Sequence, residues 1–283
     1  MGAASGATGR RLARAEPGSL RLRILSALVL APLPIIAIWF GGLLLSLLTV
    51  AAALVMSWEW GKLCGGNAPG RAGSVLIGVV AVAVIAASLS GVWVGVLLAL
   101  GGAVLVWQIA LRQGAAAPLW LAAGSLWVAL PCVILLWLAQ SGGADRGTLF
   151  WMFAVVWATD IGAYAIGRRL GGPLLAPRWS PRKTWAGLLG GILCAALAGW
   201  ATAGVVGATQ VLPLVLVSAG LAIVEQFGDL AESVAKRRFG VKDASSLIPG
   251  HGGLLDRLDG LLAVIPAVAL LTLLGGGSVL TWR

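Results

Sequence analysis

Apolar stretches long enough to cross a bilayer follow one another along almost the whole chain, and charges interrupt them only sparsely. A helix needs roughly 20 consecutive, mostly apolar residues to span a hydrocarbon core. Inside that core, only structures that satisfy their own backbone hydrogen bonds are stable. Nine runs in the sequence approach this requirement: about 24–40, 42–60, 73–90, 91–111, 118–139, 148–168, 184–206, 211–229 and 261–280. With 59% hydrophobic and 11% charged residues, the composition excludes a water-soluble surface. The pattern predicts an all-α, polytopic transmembrane protein of about nine spans. It divides into a basic N-terminal segment (1–23), an N-terminal transmembrane scaffold (24–150) and a C-terminal transmembrane region (151–283) that carries the polar site.

An odd number of spans puts the termini on opposite sides. If the N-terminus faces the cytoplasm, so do Arg10, Arg11, Arg14, Arg21, Arg23, Lys62, Arg71 and Arg112. The same side receives Arg168, Arg169, Arg178, Arg182, Lys183, Lys236, Arg237, Arg238, Lys242 and Arg257, leaving only Arg146 and Arg283 outside. That asymmetry is what the positive-inside rule demands. The expectation is a multi-pass protein of the inner (plasma) membrane, with its N-terminus and polar site cytoplasmic. A net charge of +10 would otherwise suggest nucleic acid, but these cations sit in short loops beside lipid headgroups, and no nucleic-acid partner is needed. Pro32 and Pro34 interrupt the first apolar run and no small-x-small cleavage site follows, so the run reads as a retained span. Cys64, Cys132 and Cys194 lie far apart, in or beside spans, and indicate neither a disulfide framework nor a zinc site.

The acidic residues are distributed unevenly. The first 150 residues hold only Glu16, Glu59 and Asp145, and they read as scaffold, with small residues for close helix approach and many tryptophans near span ends. Glu59 reads as a snorkelling carboxylate or a partner for Lys62, so Glu59→Gln is expected to matter little. The other seven, Asp160, Glu225, Asp229, Glu232, Asp243, Asp256 and Asp259, lie between 160 and 259. Ionisable groups at membrane depth are costly and so mark function.

From Glu225 to Arg237 the chain reads as the end of a helix, and residues three and four apart share a face. Glu225, Asp229, Glu232, Ser233 and Lys236 therefore form one polar stripe. The segment Lys242–Gly253 is a loop by its Pro and Gly content, and its glycines allow backbone N–H groups to approach phosphate oxygens. His251 is the only histidine in the chain, so no multi-histidine metal site exists. Asp256 and Asp259 stand three apart at the start of the last span. Carboxylates from separate elements suit a hard divalent cation such as Mg²⁺, and the interleaved Lys236, Arg237, Lys242 and Arg257 suit phosphate. These parts describe phosphoryl or nucleotidyl transfer, in which positioning and charge stabilisation dominate.

The spaced run Ser233-x2-Lys236-Arg237-x4-Lys242-Asp243-x-Ser245-x2-Ile248-Pro249-x-His251-Gly252-Gly253-x2-Asp256-Arg257-x-Asp259 resembles the signature of the phosphatidate cytidylyltransferases, also called CDP-diacylglycerol synthases. The likeness extends to Asp160–Tyr164, Ser180–Gly187 and Gly228–Leu230 and covers roughly residues 155–275. The resemblance implies a Mg²⁺-dependent reaction of CTP with phosphatidic acid that releases diphosphate, with a monovalent cation such as K⁺ as a further candidate, and a homodimer. It implies that Asp229, Asp256 and Asp259, with Asp160 as a fourth, organise metal and phosphate. Ser233, Lys236 and Arg237 would grip phosphate groups and complete the catalytic set. Ser180, Lys183, Thr184, Lys242, His251, Gly252, Gly253 and Arg257 would bind substrate. One departure is Ala186, where the family often carries an acidic or amide residue.

The nearest alternative is an enzyme of the same site type acting on another lipid phosphate or a polyprenol. A membrane transporter is a more distant one, disfavoured because no internal repeat is visible. The alcohol phosphatidyltransferases open on an Asp-Gly-x2-Ala-Arg motif that this chain lacks.

Overall fold

Where side chains are nearly all Leu, Val, Ala and Gly, and no water competes for backbone groups, the helix is the local structure that satisfies every N–H and C=O. The computed structural model describes residues 26, 28–66, 68–140, 146–208 and 210–282. The helices are α1 (Pro32–Phe40), α2 (Gly42–Gly65), α3 (Gly70–Ser90), α4 (Val92–Arg112) and α5 (Pro118–Gln140), followed by α6 (Arg146–Leu170), α7 (Trp185–Val206), α8 (Val211–Arg238) and α9 (Leu255–Leu274). Among the described residues, eight helices are long and apolar enough to cross a membrane, and this is a membrane protein. Single glycines, Gly41 (φ 64°) and Gly91 (φ 97°), separate α1 from α2 and α3 from α4. Their positive φ is the reason a residue without a Cβ stands at each break.

Eight of the nine expected runs become these long helices. The run at 24–40 corresponds to a shorter apolar stretch, Leu28–Phe40, and the basic segment 1–23 lies outside the described residues. Two boundaries differ with consequence. Helix α8 continues to Arg238, past residue 229, and α9 begins at Leu255, before residue 261. In both places the apolar run stops where charges begin, whereas the reading of Glu225–Arg237 as a helix end and of Asp256 and Asp259 at the start of the last span agrees with the helix bounds. The charges are paired with one another and with backbone groups, so the helices continue through them.

Two apolar cores result. Helices α2–α5 enclose Met56, Leu76, Val84, Val106, Val128 and Leu136, and α1 with α6–α9 encloses Ile38, Trp151, Met152, Leu221 and Ile265. Helix α9 belongs to both: Leu255 and Leu262 pack into the first core, Leu261 and Val264 into the second. Leu43, Leu89, Leu97 and Val205 remain exposed on the periphery, the surface a lipid-facing protein requires.

Small residues set the closest crossings. A Cβ on Gly190 of α7 would stand 2.6 Å from Ile166 Cβ and 3.0 Å from Gly162 O of α6. On α8, one on Gly228 would stand 2.7 Å from Asp259 O of α9, and one on Gly260 of α9 would stand 2.6 Å from Glu225 Cγ. The second crossing brings the acidic stretches of α8 and α9 face to face.

Between α6 and α7 lies an antiparallel hairpin, β1 (Leu174–Ala176) and β2 (Ser180–Thr184), with Leu174 opposite Thr184 and Ala176 opposite Ser180. The all-α architecture stands with this one addition, which the apolar pattern does not signal because the segment is short and polar. Thr184 ends β2 and caps α7, its Oγ1 accepting from Gly187 N at 3.0 Å.

Gly190→Leu is expected to destabilise the protein by about 1–3 kcal/mol through overpacking. Gly204→Ala, on the same helix but with nothing within 4 Å of the added Cβ, serves as the control. Thermal unfolding in detergent should show a lowered midpoint for the first and an unshifted one for the second.

Candidate active site

The polar groups that sequence reasoning singled out converge at one end of the helix bundle. The stripe on α8 forms as expected from its spacing, and each member has a partner or a defined neighbour. Lys183, from β2, reaches across to α8, its Nζ 2.6 Å from Asp229 Oδ2 and donating to Gln226 Oε1 at 2.9 Å. Gln226 Nε2 in turn donates to Glu225 Oε2 at 2.7 Å. Ser233 Oγ donates to the other oxygen of Asp229 at 3.3 Å. The hairpin therefore serves to deliver one lysine to the middle of α8.

One turn further along, Lys236 is buried between two carboxylates. Its Nζ lies 2.6 Å from Asp256 Oδ1 of α9 and 3.0 Å from Glu232 Oε1 of its own helix. The Glu232 contact is an ion pair without hydrogen-bond geometry, and both Glu232 oxygens are buried with no hydrogen-bond donor. Asp256 is fully engaged: Oδ2 accepts from Ala244 N and Gly253 N, each at 2.9 Å. Its visible work is to fold the loop between α8 and α9 back onto the first turn of α9.

Asp259 accepts from its own helix at Gly260 N (2.8 Å) and interacts electrostatically with Asp229, Lys236 and Asp160. Asp160, on α6, interacts with Glu225, Asp229, Lys183 and Arg257. Carboxylates from α6, α8 and α9 thus border one polar space, interleaved with Lys183, Lys236 and Arg257. Ser180 stands half-buried at the start of β2, and Lys242 is exposed in the loop. Arg237 turns away from this space, its Nε donating to Trp179 O (3.3 Å) in the hairpin turn and its Nη1 to Val241 O (3.1 Å). His251 Nδ1 stands 2.7 Å from Ser26 Oγ, and Gly252 and Gly253 lie against the Asp256 and Glu59 carboxylates.

Among the described residues, no three Asp, Glu, His or Cys side chains already converge as a ligand set. A hard cation such as Mg²⁺ keeps several waters and shares itself between one or two carboxylates and substrate phosphates. An all-oxygen site with Asp229, Asp259 and Asp160 on one polar space, beside the unsatisfied Glu232, fits such an ion.

Below the polar space opens a cavity of about 500 Å³ between α1, α2, α6 and α9. Its walls are apolar, with Leu45, Phe153, Trp157 and Ile265 among them, and its polar lining includes Asp160, His251 and Arg257. The lining is therefore amphiphilic, mostly apolar with a few charged and polar groups.

Residues outside the expected set also take part, Glu225 and Gln226 among them. Glu232 lay on the predicted stripe but was not singled out. Glu59 was expected to snorkel or to pair with Lys62, and that expectation is corrected. It is completely buried and accepts from Ser245 Oγ (2.6 Å), Leu254 N (2.9 Å) and Leu255 N (2.7 Å). Lys62 instead lies over the Trp58 ring, 5.3 Å from its centroid. The only sequence signal for Glu59 was an isolated acidic residue near a span end.

Lys236→Met would leave Glu232 and Asp256 facing each other without a cation. Breaking a buried charge pair in this way costs about 3–5 kcal/mol, so the expected outcome is a large drop in the unfolding midpoint in detergent, and Lys236→Arg should retain more stability.

The comparisons with known proteins extend over the same chain. The cytidylyltransferase family model matches residues 21–274. A protein named phosphatidate cytidylyltransferase from Brucella suis biovar 1 (strain 1330) is 39% identical over 263 residues, covering 91% of this chain and 93% of that protein. Proteins of the same name are 42% identical over 123 residues in Haemophilus influenzae, covering 42% of this chain and 43% of that protein. In Staphylococcus epidermidis (strain ATCC 35984) the identity is 44% over 124 residues, covering 44% of this chain and 48% of that protein. With the family model spanning nearly its whole length and a relative matched from end to end, the chain belongs to the cytidylyltransferase family.

Proposed function

We propose that this protein transfers the cytidylyl group of CTP to phosphatidate, forming CDP-diacylglycerol and diphosphate for phospholipid synthesis. The observation that carries the reading is the cavity whose apolar well rises into a rim of Asp160, His251 and Arg257 beside the α8–α9 carboxylates. In this reading the glycerol end of the lipid enters the well with its acyl chains running out into the bilayer, and the phosphate head then lies near the cations and carboxylates of four elements. The names of the relatives matched support the same assignment.

In this reading a non-bridging oxygen of phosphatidate attacks the α-phosphorus of CTP in line. A new P–O bond forms as the bond from the α-phosphorus to the diphosphate oxygen breaks. The nucleophile is already ionised at neutral pH, so no side chain has to remove a proton. That agrees with a site rich in charge and lacking a Ser-His-Asp arrangement. Lys183, fixed by Asp229 and Gln226, presents a positive charge from the hairpin. Arg257 holds the lipid phosphate at the mouth of the cavity, and His251 orients it. Ser233 and Lys236 contribute a hydroxyl and a cation along α8. Arg237 orders the hairpin turn and Lys242 attracts nucleotide at the rim, while Ser180, Thr184, Gly252 and Gly253 shape the backbone around the phosphates. Asp229, Asp259 and Asp160 would hold a divalent cation, which we assign as Mg²⁺, and it would supply neutralisation of the diphosphate charge. Asp256 keeps the loop closed over this centre.

The polar end faces the cytoplasm in this proposal, because the Lys and Arg residues of the loops gather on that side and because CTP is found there. The membrane is the plasma membrane.

Purified protein in mixed micelles, given γ-labelled CTP, should release labelled diphosphate only with both phosphatidate and Mg²⁺ present, with matching CDP-diacylglycerol. A chelator should abolish release. Asp229→Asn frees Lys183 and is expected to lower turnover by at least about 10²-fold while the protein remains folded. Release that does not depend on the lipid would remove the reading.

A further inference from the structure

Among the described residues, Glu59 is the one acidic side chain of the N-terminal half that reaches the polar end of the molecule, and its setting is unusual. It is fully buried near the end of α2. Among the described residues it forms no ion pair, so its charge is met by donors alone. Oε1 takes the Ser245 hydroxyl and Leu254 N, and Oε2 takes Leu255 N. Leu254 and Leu255 are the N-cap and first residue of α9, whose unpaired N–H groups and dipole favour an anion. Glu59 occupies that position from another helix. Contact is close enough that a Cβ on Gly253 would stand 2.5 Å from Glu59 Oε1, so the glycine there accommodates the carboxylate.

The loop is thereby clamped twice. Asp256 draws in Ala244 N and Gly253 N from one side, and Glu59 draws in Ser245, Leu254 and Leu255 from the other. Between the two lie Ile248 and Gly252, paired through Ile248 N to Gly252 O at 2.8 Å. Three amides at the start of α9, Gly253 N, Leu254 N and Leu255 N, are already taken by protein carboxylates. They are not available to a phosphate, which leaves phosphate binding to side chains such as Arg257.

We propose that Glu59 is a positioning residue for the reaction: without touching substrate, it fixes the 244–255 loop and the first turn of α9 so that Asp256, Arg257 and Asp259 meet the stripe on α8. The kinetic part of this proposal rests on the reading of the chain as a phosphatidate cytidylyltransferase. The structural part does not.

Glu59→Gln keeps the shape of the side chain but replaces one acceptor oxygen with a donor that opposes Leu255 N–H or the Ser245–Leu254 pair. The test combines hydrogen–deuterium exchange with steady-state kinetics on the folded, detergent-purified protein. Amides of 244–255 are expected to exchange faster in Glu59→Gln, with the interiors of α2 and α9 still protected. kcat should fall on the order of 10- to 100-fold, and because His251, Leu254 and Arg257 also line the cavity, KM for phosphatidate is expected to rise with it. Ser245→Ala, which removes one of the three donors, should show the same two changes at smaller size and covers the case in which Glu59→Gln does not fold. Wild-type kcat in either folded variant overturns the proposal. So does a loss of kcat with exchange in 244–255 unchanged, or with protection lost throughout the protein. If the wild-type protein makes no CDP-diacylglycerol, the functional reading falls, and the exchange measurement alone decides whether Glu59 holds the loop.

Discussion

The carboxylate of Asp256 is where three parts of the chain meet. One oxygen receives Lys236 from α8, and the other receives two backbone N–H groups from opposite ends of the intervening loop. A charged acceptor with three donors in a water-poor setting is strong because its alternative is an unsatisfied buried anion. The same interaction explains why α9 begins where it does, why the loop folds back, and why Lys236 stays buried. Glu59 repeats the device from the other half of the molecule. The polar end is therefore held together by hydrogen bonds between carboxylates and backbone, while the apolar helices set the distance at which those bonds form.

That division of labour suits an enzyme that handles one water-soluble and one lipid substrate. The apolar well lies between α1, α2, α6 and α9, whereas the charged residues come chiefly from α6, β2, α8 and α9. Two glycine contacts, at Gly228 and Gly260, bring α8 and α9 close enough for their acidic stretches to share a space. Larger residues at that crossing would widen the space between the carboxylates before altering any of them. Substrate chemistry at this site is thus tied to packing at positions that carry no functional group.

Much of this was legible in the sequence. Apolar runs of spanning length mark the helices because no other local structure survives in lipid, and the i, i+4 spacing from Glu225 to Lys236 marks the stripe because α8 is continuous there. The signature run gave the loop and the start of α9 at residue level. Less legible were the features that depend on contacts between distant parts. The hairpin at 174–184 is short and polar, so its pairing has no apolar alternation to announce it. The apolar runs alone stop short of the ends of α8 and α9, because charge breaks the run; the polar spacing from Glu225 to Arg237 and at Asp256 and Asp259 supplied those helix ends. Glu59 was misread because its donors lie 186 to 196 residues away, and nothing in the neighbouring residues encodes them. At Ala186 the departure from the family pattern coincides with the first turn of α7, beside the Thr184 cap.

Helix α9 lies on the seam between the two apolar cores, with Leu255 and Leu262 on one side and Leu261 and Val264 on the other. It is also the last long helix in chain order. During synthesis, α2 and α8 enter the membrane before the helix whose N-terminus receives Glu59 and whose Asp256 receives Lys236. Until α9 arrives, Glu59 and Lys236 lack the partners that this helix supplies. Docking of this one helix completes both carboxylate clamps, so the centre forms only once α9 is in place.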